Sequence, residues 1–244
     1  MGRGDLPRHL PAARLELRPA HRRPAQPAGI RAGRDVSGHG RGRHRDSGGE
    51  RELKRCWETT DPQYNAYHDE EWGRPVTTEQ GIYERLCLEG FQSGLSWITI
   101  LRKREAFRAA FEGFDPERVA RFGERDIERL LGDASIVRHR GKIEATIANA
   151  RATVELRAAG TPLDQLFWSH RPESHEPSRS LSEIPSSTPE SAALSKSLRR
   201  AGFRFVGPTT AYAAMQACGV VNDHIADCWV RDSVEAAQKA WHPS

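Results

Sequence analysis

The chain has 244 residues, with 37 Lys and Arg against 33 Asp and Glu, and its net charge of +4 is unevenly spread. Residues 1–50 carry 11 Arg and 5 acids (+6), which leaves 26 basic and 28 acidic residues, −2, in 51–244. No apolar run approaches the ~18 residues that span a bilayer, which excludes a helical membrane protein. The first residues are Arg, Gly and Pro where a secretory signal needs an apolar stretch.

In chain order, the first fifty residues hold 9 of the 21 Gly and 5 of the 15 Pro but no aromatic residue and no Cys. Such a segment cannot bury enough apolar surface to offset its ordering entropy. A disordered Arg/Gly/Pro-rich extension over 1–50 is expected, then one domain over 51–235 and a flexible tail over 236–244. Cys56, Cys87, Cys218 and Cys228, in a chain without an export signal, point to metal or core roles rather than a disulfide framework. A cytoplasmic location is expected.

Past the extension the periodicity is helical. Thr77 stands three residues before Gln80, a capping-box spacing, and Ile82, Leu86, Glu89 and Ser93 follow at helical intervals. Leu86 and Glu89 are three apart, so the Glu89 carboxylate falls on or beside the apolar stripe. The tight segment Gln92-Ser93-Gly94-Leu95-Ser96 leads to a second helix through Ile98, Leu101, Phe107 and Phe111. Asp115-Pro116 reads as N-cap and first helical residue of a short helix, and Ile127, Leu130 and Leu131 mark the next. A turn over 136–142 precedes a helix carrying Ile143, Ile147, Ala150 and Val154, closed by Gly160. Residues 170–188, rich in Pro, Ser, Glu and Arg, form one long loop; Thr188-Pro189 starts a helix ended by Gly202, and another runs through Tyr212 and Met215 to Gly219. No period-2 alternation appears, so the fold class is all-α.

Three constellations carry chemistry. His224 and Cys228 are four apart and share a helical face; with Cys56 and His68, far away in sequence, they make a Cys2His2 set suited to tetrahedral zinc, though each pair is also compatible with an ordinary surface or core role. Seven of the 18 aromatics fall in residues 51–100, among them Trp57, Tyr64, Tyr67, Trp72 and Trp97. With Glu89 they would bind a flat cation through charge, hydrogen bonds and cation-π contact; without it they would simply fill core. Finally, Arg138, Arg140, Gly141 and Lys142 surround a helix start able to hold a phosphate, or form a solvated loop.

The runs Asp61 to Gly73, Cys87 to Gly90 with Gly94 to Thr99, Ile136 to Gly141 and Val221 to His224 closely resemble the 3-methyladenine DNA glycosylase I family. The likeness covers the body from about Arg55 to Cys228 in order and leaves out the extension. It implies a helix-hairpin-helix glycosylase fold, hydrolytic removal of N3-methyladenine from double-stranded alkylated DNA after base flipping, and a monomer. On the matching positions, Cys56, His68, His224 and Cys228 are structural zinc ligands and Glu89 is the acidic, catalytic residue of the base pocket. Tyr67 and Trp97 are its stacking aromatics, Trp57, Tyr64 and Trp72 fall on the motif that lines it, and the 136–142 hairpin grips the DNA backbone. Leu95, after Gly94, is the candidate to fill the gap left by a flipped nucleotide. The chain departs from the pattern where Cys56 and Trp57 are adjacent: the family has one residue between them. Because the body is mildly acidic, DNA binding is expected from a local patch of Arg138, Arg140 and Lys142, helped by Arg199, Arg200 and Arg204. A non-catalytic DNA-binding module stapled by zinc is the alternative, and Glu89 argues against it.

Overall fold

The structure, a computed structural model, describes residues 54–241; the expected extension over 1–50 lies outside them. Local chemistry sets each helix start. Asp61 accepts hydrogen bonds from the amides of Gln63 and Tyr64 at 2.9 and 3.1 Å, and Pro62 opens helix α1 (Pro62–Ala66). This helix runs directly into a π turn over Tyr67–Glu71. The next helix, α2 (Glu79–Gln92), is capped one residue later than the spacing suggests. Thr78 Oγ1 accepts from the Gly81 amide at 3.2 Å, while Gln80 turns away and donates to the Gly113 carbonyl at 2.8 Å. Two adjacent threonines leave the cap register open in the sequence, and the tertiary partner of Gln80 decides it.

Helix α3 (Trp97–Ala110) follows a tight turn in which Gly94 has φ +85°. Asp115 caps α4 (Pro116–Ala120) by accepting from the Arg118 amide at 3.0 Å, as Asp-Pro predicts. Helices α5 (Glu124–Gly132), α6 (Arg140–Ala158) and α7 (Leu163–Trp168) come next, and then the long loop, interrupted by a 3-10 turn at Leu181–Glu183. Thr188 and Ser191 cap α8 (Pro189–Arg200) reciprocally, and α9 (Pro208–Ala217) completes the core. No strand occurs among the described residues, in accord with the all-α expectation.

Helix α2 runs through the centre, packed against α3, α6, α7 and α9, while α4 lies on α6 and α8 on α9. Every α2 residue from Leu86 to Gln92 is buried, so this end of the helix has no solvent face. Phe91, Phe107, Phe111 and Phe114 fill the space between α2 and α3, with Phe91 and Phe107 ring centroids 4.5 Å apart. Truncating one of them to Ala would cost about 3–5 kcal/mol. Among the described residues no helix is long and apolar enough to cross a membrane.

The C-terminal end differs from the expected tail. Helix α10 (Arg231–Ala240) runs across the 235/236 boundary, with Val234 and Gln238 buried. Gln238 donates to the carbonyls of Gly73 at 3.2 Å and Gly219 at 2.8 Å, joining three distant segments. Gly219 has φ +72°, and a Cβ there would lie 2.4 Å from the Arg74 carbonyl carbon, so only glycine permits this approach. A run of Ala, Gln and Lys carries little hydrophobic signal; the buried amide of Gln238 is what holds it, and periodicity does not register an amide.

Candidate base pocket and metal cluster

Glu89 occupies the last turn of α2 and is 6% exposed. Burial pushes its carboxyl pKa up to about 8, since desolvation disfavours the charged form. Tyr64 and Tyr67 lie close enough to feel its charge: burial first and Glu89 second push Tyr64 up to about 12, and the same two causes raise Tyr67 well above its ordinary value. Tyr67 packs on Trp97 with ring centroids 5.2 Å apart, and Trp57 packs on Tyr64 at 5.0 Å. Four of the five expected aromatics thus form two contacting pairs, and the tyrosine of each pair feels the Glu89 charge. The indole Nε1 atoms of Trp57 and Trp97 are buried without a hydrogen-bond partner, the pattern of donors awaiting a polar ligand.

Position is enforced from outside. Arg104 on α3 donates to both Glu71 oxygens, at 2.6 and 2.8 Å, and Gln63 donates to the Leu101 carbonyl at 3.3 Å, which together clamp α1 and the π turn against the helix bearing Trp97. Trp72 stands further back. Its ring meets His224 at 4.7 Å and Trp57 at 5.2 Å, and Trp57 in turn meets His68 at 4.6 Å, so both indoles pack directly on the Cys/His cluster.

Cys56, His68, His224 and Cys228 are all buried, and one ligand atom from each lies within 4.8 Å of the others. Cys56 Sγ and Cys228 Sγ are each 3.4 Å from His224 Nδ1, and Cys228 Sγ is 3.5 Å from His68 Nε2. Tetrahedral zinc with ordinary Zn–S and Zn–N bonds places S and N ligands about 3.6 Å apart, so the cluster has the right size. The outer nitrogens fix both tautomers: His68 Nδ1 is 2.7 Å from Asp69 Oδ1, and His224 Nε2 donates to the Trp72 carbonyl at 2.9 Å. Both lone pairs then face inward. Adjacent Cys56 and Trp57 do not disturb the set, because the shortened loop still delivers the thiol to the cluster and the indole to Tyr64.

Around the hairpin the outcome is mixed. Leu95 projects at the α2–α3 turn, 42% exposed. Arg138 is exposed and makes no ion pair among the described residues, and the His139 ring accepts from the Lys142 amide at 3.2 Å to open α6. Arg140 is paired with Glu124 at 2.7 Å and more loosely with Glu144 at 3.7 Å. Lys142 departs from its expected role as a phosphate contact. Its side chain is buried and donates to the carbonyls of Phe91 at 2.8 Å and Ser93 at 2.6 Å, capping the C-terminus of α2. The sequence showed a basic cluster but not the orphan carbonyls of another helix 50 residues away. Two contributors went unnoticed for the same kind of reason: Asp69, which orients His68, and Arg104, which positions the π turn.

Residues 57–232 match the methyladenine glycosylase family model. DNA-3-methyladenine glycosylase 1 of Escherichia coli K12 is 53% identical over 180 residues, covering 72% of this chain and 96% of the relative. The DNA-3-methyladenine glycosylase of Haemophilus influenzae is 43% identical over 178 residues, covering 71% and 96%. A crystal structure of a 3-methyladenine DNA glycosylase I superposes with a TM-score of 0.70 at 51% identity, covering 72% of this chain and 98% of that one. The Staphylococcus aureus enzyme, whose structure addresses 3-methyladenine recognition, gives 0.68 at 35% identity, covering 71% and 93%. The chain belongs to the methyladenine glycosylase family.

Proposed function

We propose that this chain is a monofunctional DNA-3-methyladenine glycosylase of base-excision repair, which hydrolyses the N-glycosidic bond of N3-methyladenine in alkylated double-stranded DNA. The observation that carries the reading is Glu89: a buried carboxyl at the end of α2 whose charge reaches Tyr64 and Tyr67, each packed on an indole with an unpartnered N–H group. Such a pocket accepts a flat cation. Binding the methylated, positively charged base favours the Glu89 carboxylate, and the two charges neutralise one another where water is excluded.

Little further activation is needed for a cationic leaving group. The C1′–N9 bond breaks with its electron pair going to N9, which leaves a neutral base; water adds to C1′ and loses a proton, giving an abasic site. Glu89 stabilises the charged base and accepts a hydrogen bond from its edge, while Tyr67 and Trp97 hold its faces. To reach the pocket the nucleotide is flipped from the duplex, Leu95 fills the gap, and Arg138 with the first-turn amides of α6 holds the backbone. Cys56, His68, His224 and Cys228 would hold one zinc ion. With four protein donors this is a closed, structural site that cross-links the two ends of the domain. The protein acts as a monomer.

Incubating the protein with methylated duplex DNA and analysing the released bases tests the reading. Free 3-methyladenine is expected; DNA binding without base release at high enzyme would replace the glycosylase with a non-catalytic DNA-binding module.

A further inference from the structure

Three large apolar side chains are exposed among the described residues: Leu95, Phe205 and Trp229. Phe205 is unusual in backbone as well as in exposure. It has φ +56°, the left-handed region that a bulky L-residue avoids, and the residue is 40% exposed. Its neighbours are tied down by buried polar groups. Asn149 on α6 accepts from the Arg204 amide at 2.7 Å and donates to the Arg204 carbonyl at 3.2 Å, and Ser195 on α8 donates to the Val206 carbonyl at 2.6 Å. Both Asn149 and Ser195 are 2% exposed. The core therefore holds the backbone on either side of Phe205 and turns the ring outward.

The location gives that arrangement a use. The Phe205 Cβ lies 3.6 Å from where a Cβ on Gly90 would stand, beside Glu89 on the last turn of α2, and its ring meets the His139 ring edge-on at 6.3 Å. Phe205 is thus next to both the pocket helix and the hairpin, while Leu95 projects from the turn that follows the same end of α2. Resting on the glycosylase reading, we propose that Phe205 is a second DNA-contacting wedge, packing its ring on the base face exposed when the neighbouring nucleotide flips. Duplex DNA kinked at a flipped nucleotide offers unstacked bases, and aromatic stacking on such a base is sequence-tolerant. A backbone conformation that disfavours folding, kept under an exposed aromatic ring, fits a residue retained for binding.

The test uses the full chain with Phe205→Ala, Phe205→Gly and Phe205→Trp, and two probes: free 3-methyladenine, and a duplex containing a tetrahydrofuran abasic analogue. Phe205→Gly is expected to melt at or above the wild-type temperature, since glycine accepts positive φ. Phe205→Ala and Phe205→Gly should keep wild-type affinity for the free base but bind the duplex about tenfold or more weakly, with the same loss in kcat/KM for base release. Phe205→Trp should retain duplex binding. Unchanged duplex affinity and kcat/KM in both truncations would overturn the proposal, as would equal losses for free base and duplex. If the wild type released no 3-methyladenine, the glycosylase reading would fail instead, and that result is separate from any difference among the Phe205 variants.

Discussion

Replacing Glu89 by Gln removes a titration from the core while keeping the shape of the side chain. In the folded protein the carboxyl ionises at about 8, whereas an exposed Glu ionises near 4.5. The folded value is raised, so its contribution to stability is fully present below pH 4.5. It is lost progressively as pH climbs towards 8, because across that window the unfolded chain is deprotonated while the native state still holds the proton. At about 1.4 kcal/mol per pH unit, the loss is roughly 5 kcal/mol at most, and half of that is still large beside a total stability of 5–15 kcal/mol. Glu89→Gln stays neutral and escapes it. Urea unfolding of both proteins at half-unit steps from pH 5 to 9 should show the variant gaining on the wild type by several kcal/mol, then levelling off above pH 8. Cys, His and Asp titrations elsewhere are common to both and cancel in the difference. Parallel stability curves would refute the reasoning, since they would mean that the native site accommodates the charge without cost. The same variant is expected to lose base release, so stability and activity would move in opposite directions.

Other consequences can be checked separately. For the wild type, kcat/KM for base release should rise about tenfold per pH unit below an inflection near 8 and flatten above it, because the cationic base needs the Glu89 carboxylate; a flat profile from pH 6 to 9 would contradict this. Gently purified protein should contain one zinc per chain, and stripping it or making Cys228→Ser should lower the melting temperature by about 5–10 °C, as read by metal analysis and calorimetry. Gly219→Ala, at φ +72° and with a Cβ 2.4 Å from the Arg74 carbonyl carbon, should cost about 3 kcal/mol or more in urea unfolding. Lys142→Met should destabilise by about 2 kcal/mol through the lost bonds to Phe91 and Ser93. It should leave the salt dependence of DNA binding unchanged, whereas a lysine on phosphate would change the slope by about one.

The contrast between Glu89 and Lys142 explains what the sequence could convey. Glu89 was legible because it breaks the helical period: a carboxylate three residues after Leu86 and in the middle of a buried run violates the burial rule locally. The Cys/His set was legible for a related reason, since its donors are few and chemically matched, although only the fold brings Cys56 and His68 to His224 and Cys228. Lys142 obeyed every local rule. It stood among basic residues at a helix start, and only the exposed carbonyls at the end of another helix turned it inward. Gln238 was hidden in the same way, as a polar residue in a polar run, until Gly73 and Gly219 supplied its acceptors. Charged and amide groups satisfied by a distant backbone leave no periodic trace, whereas groups placed against their own helix's pattern do. The basic cluster at 138–142 therefore divides: Lys142 builds the end of α2, Arg140 is balanced by Glu124, and Arg138 is left facing solvent next to His139, whose ring meets Phe205. In a body with net charge −2, the proposed backbone recognition would fall to Arg138 and the α6 amides, a local property that the whole chain's +4 does not report.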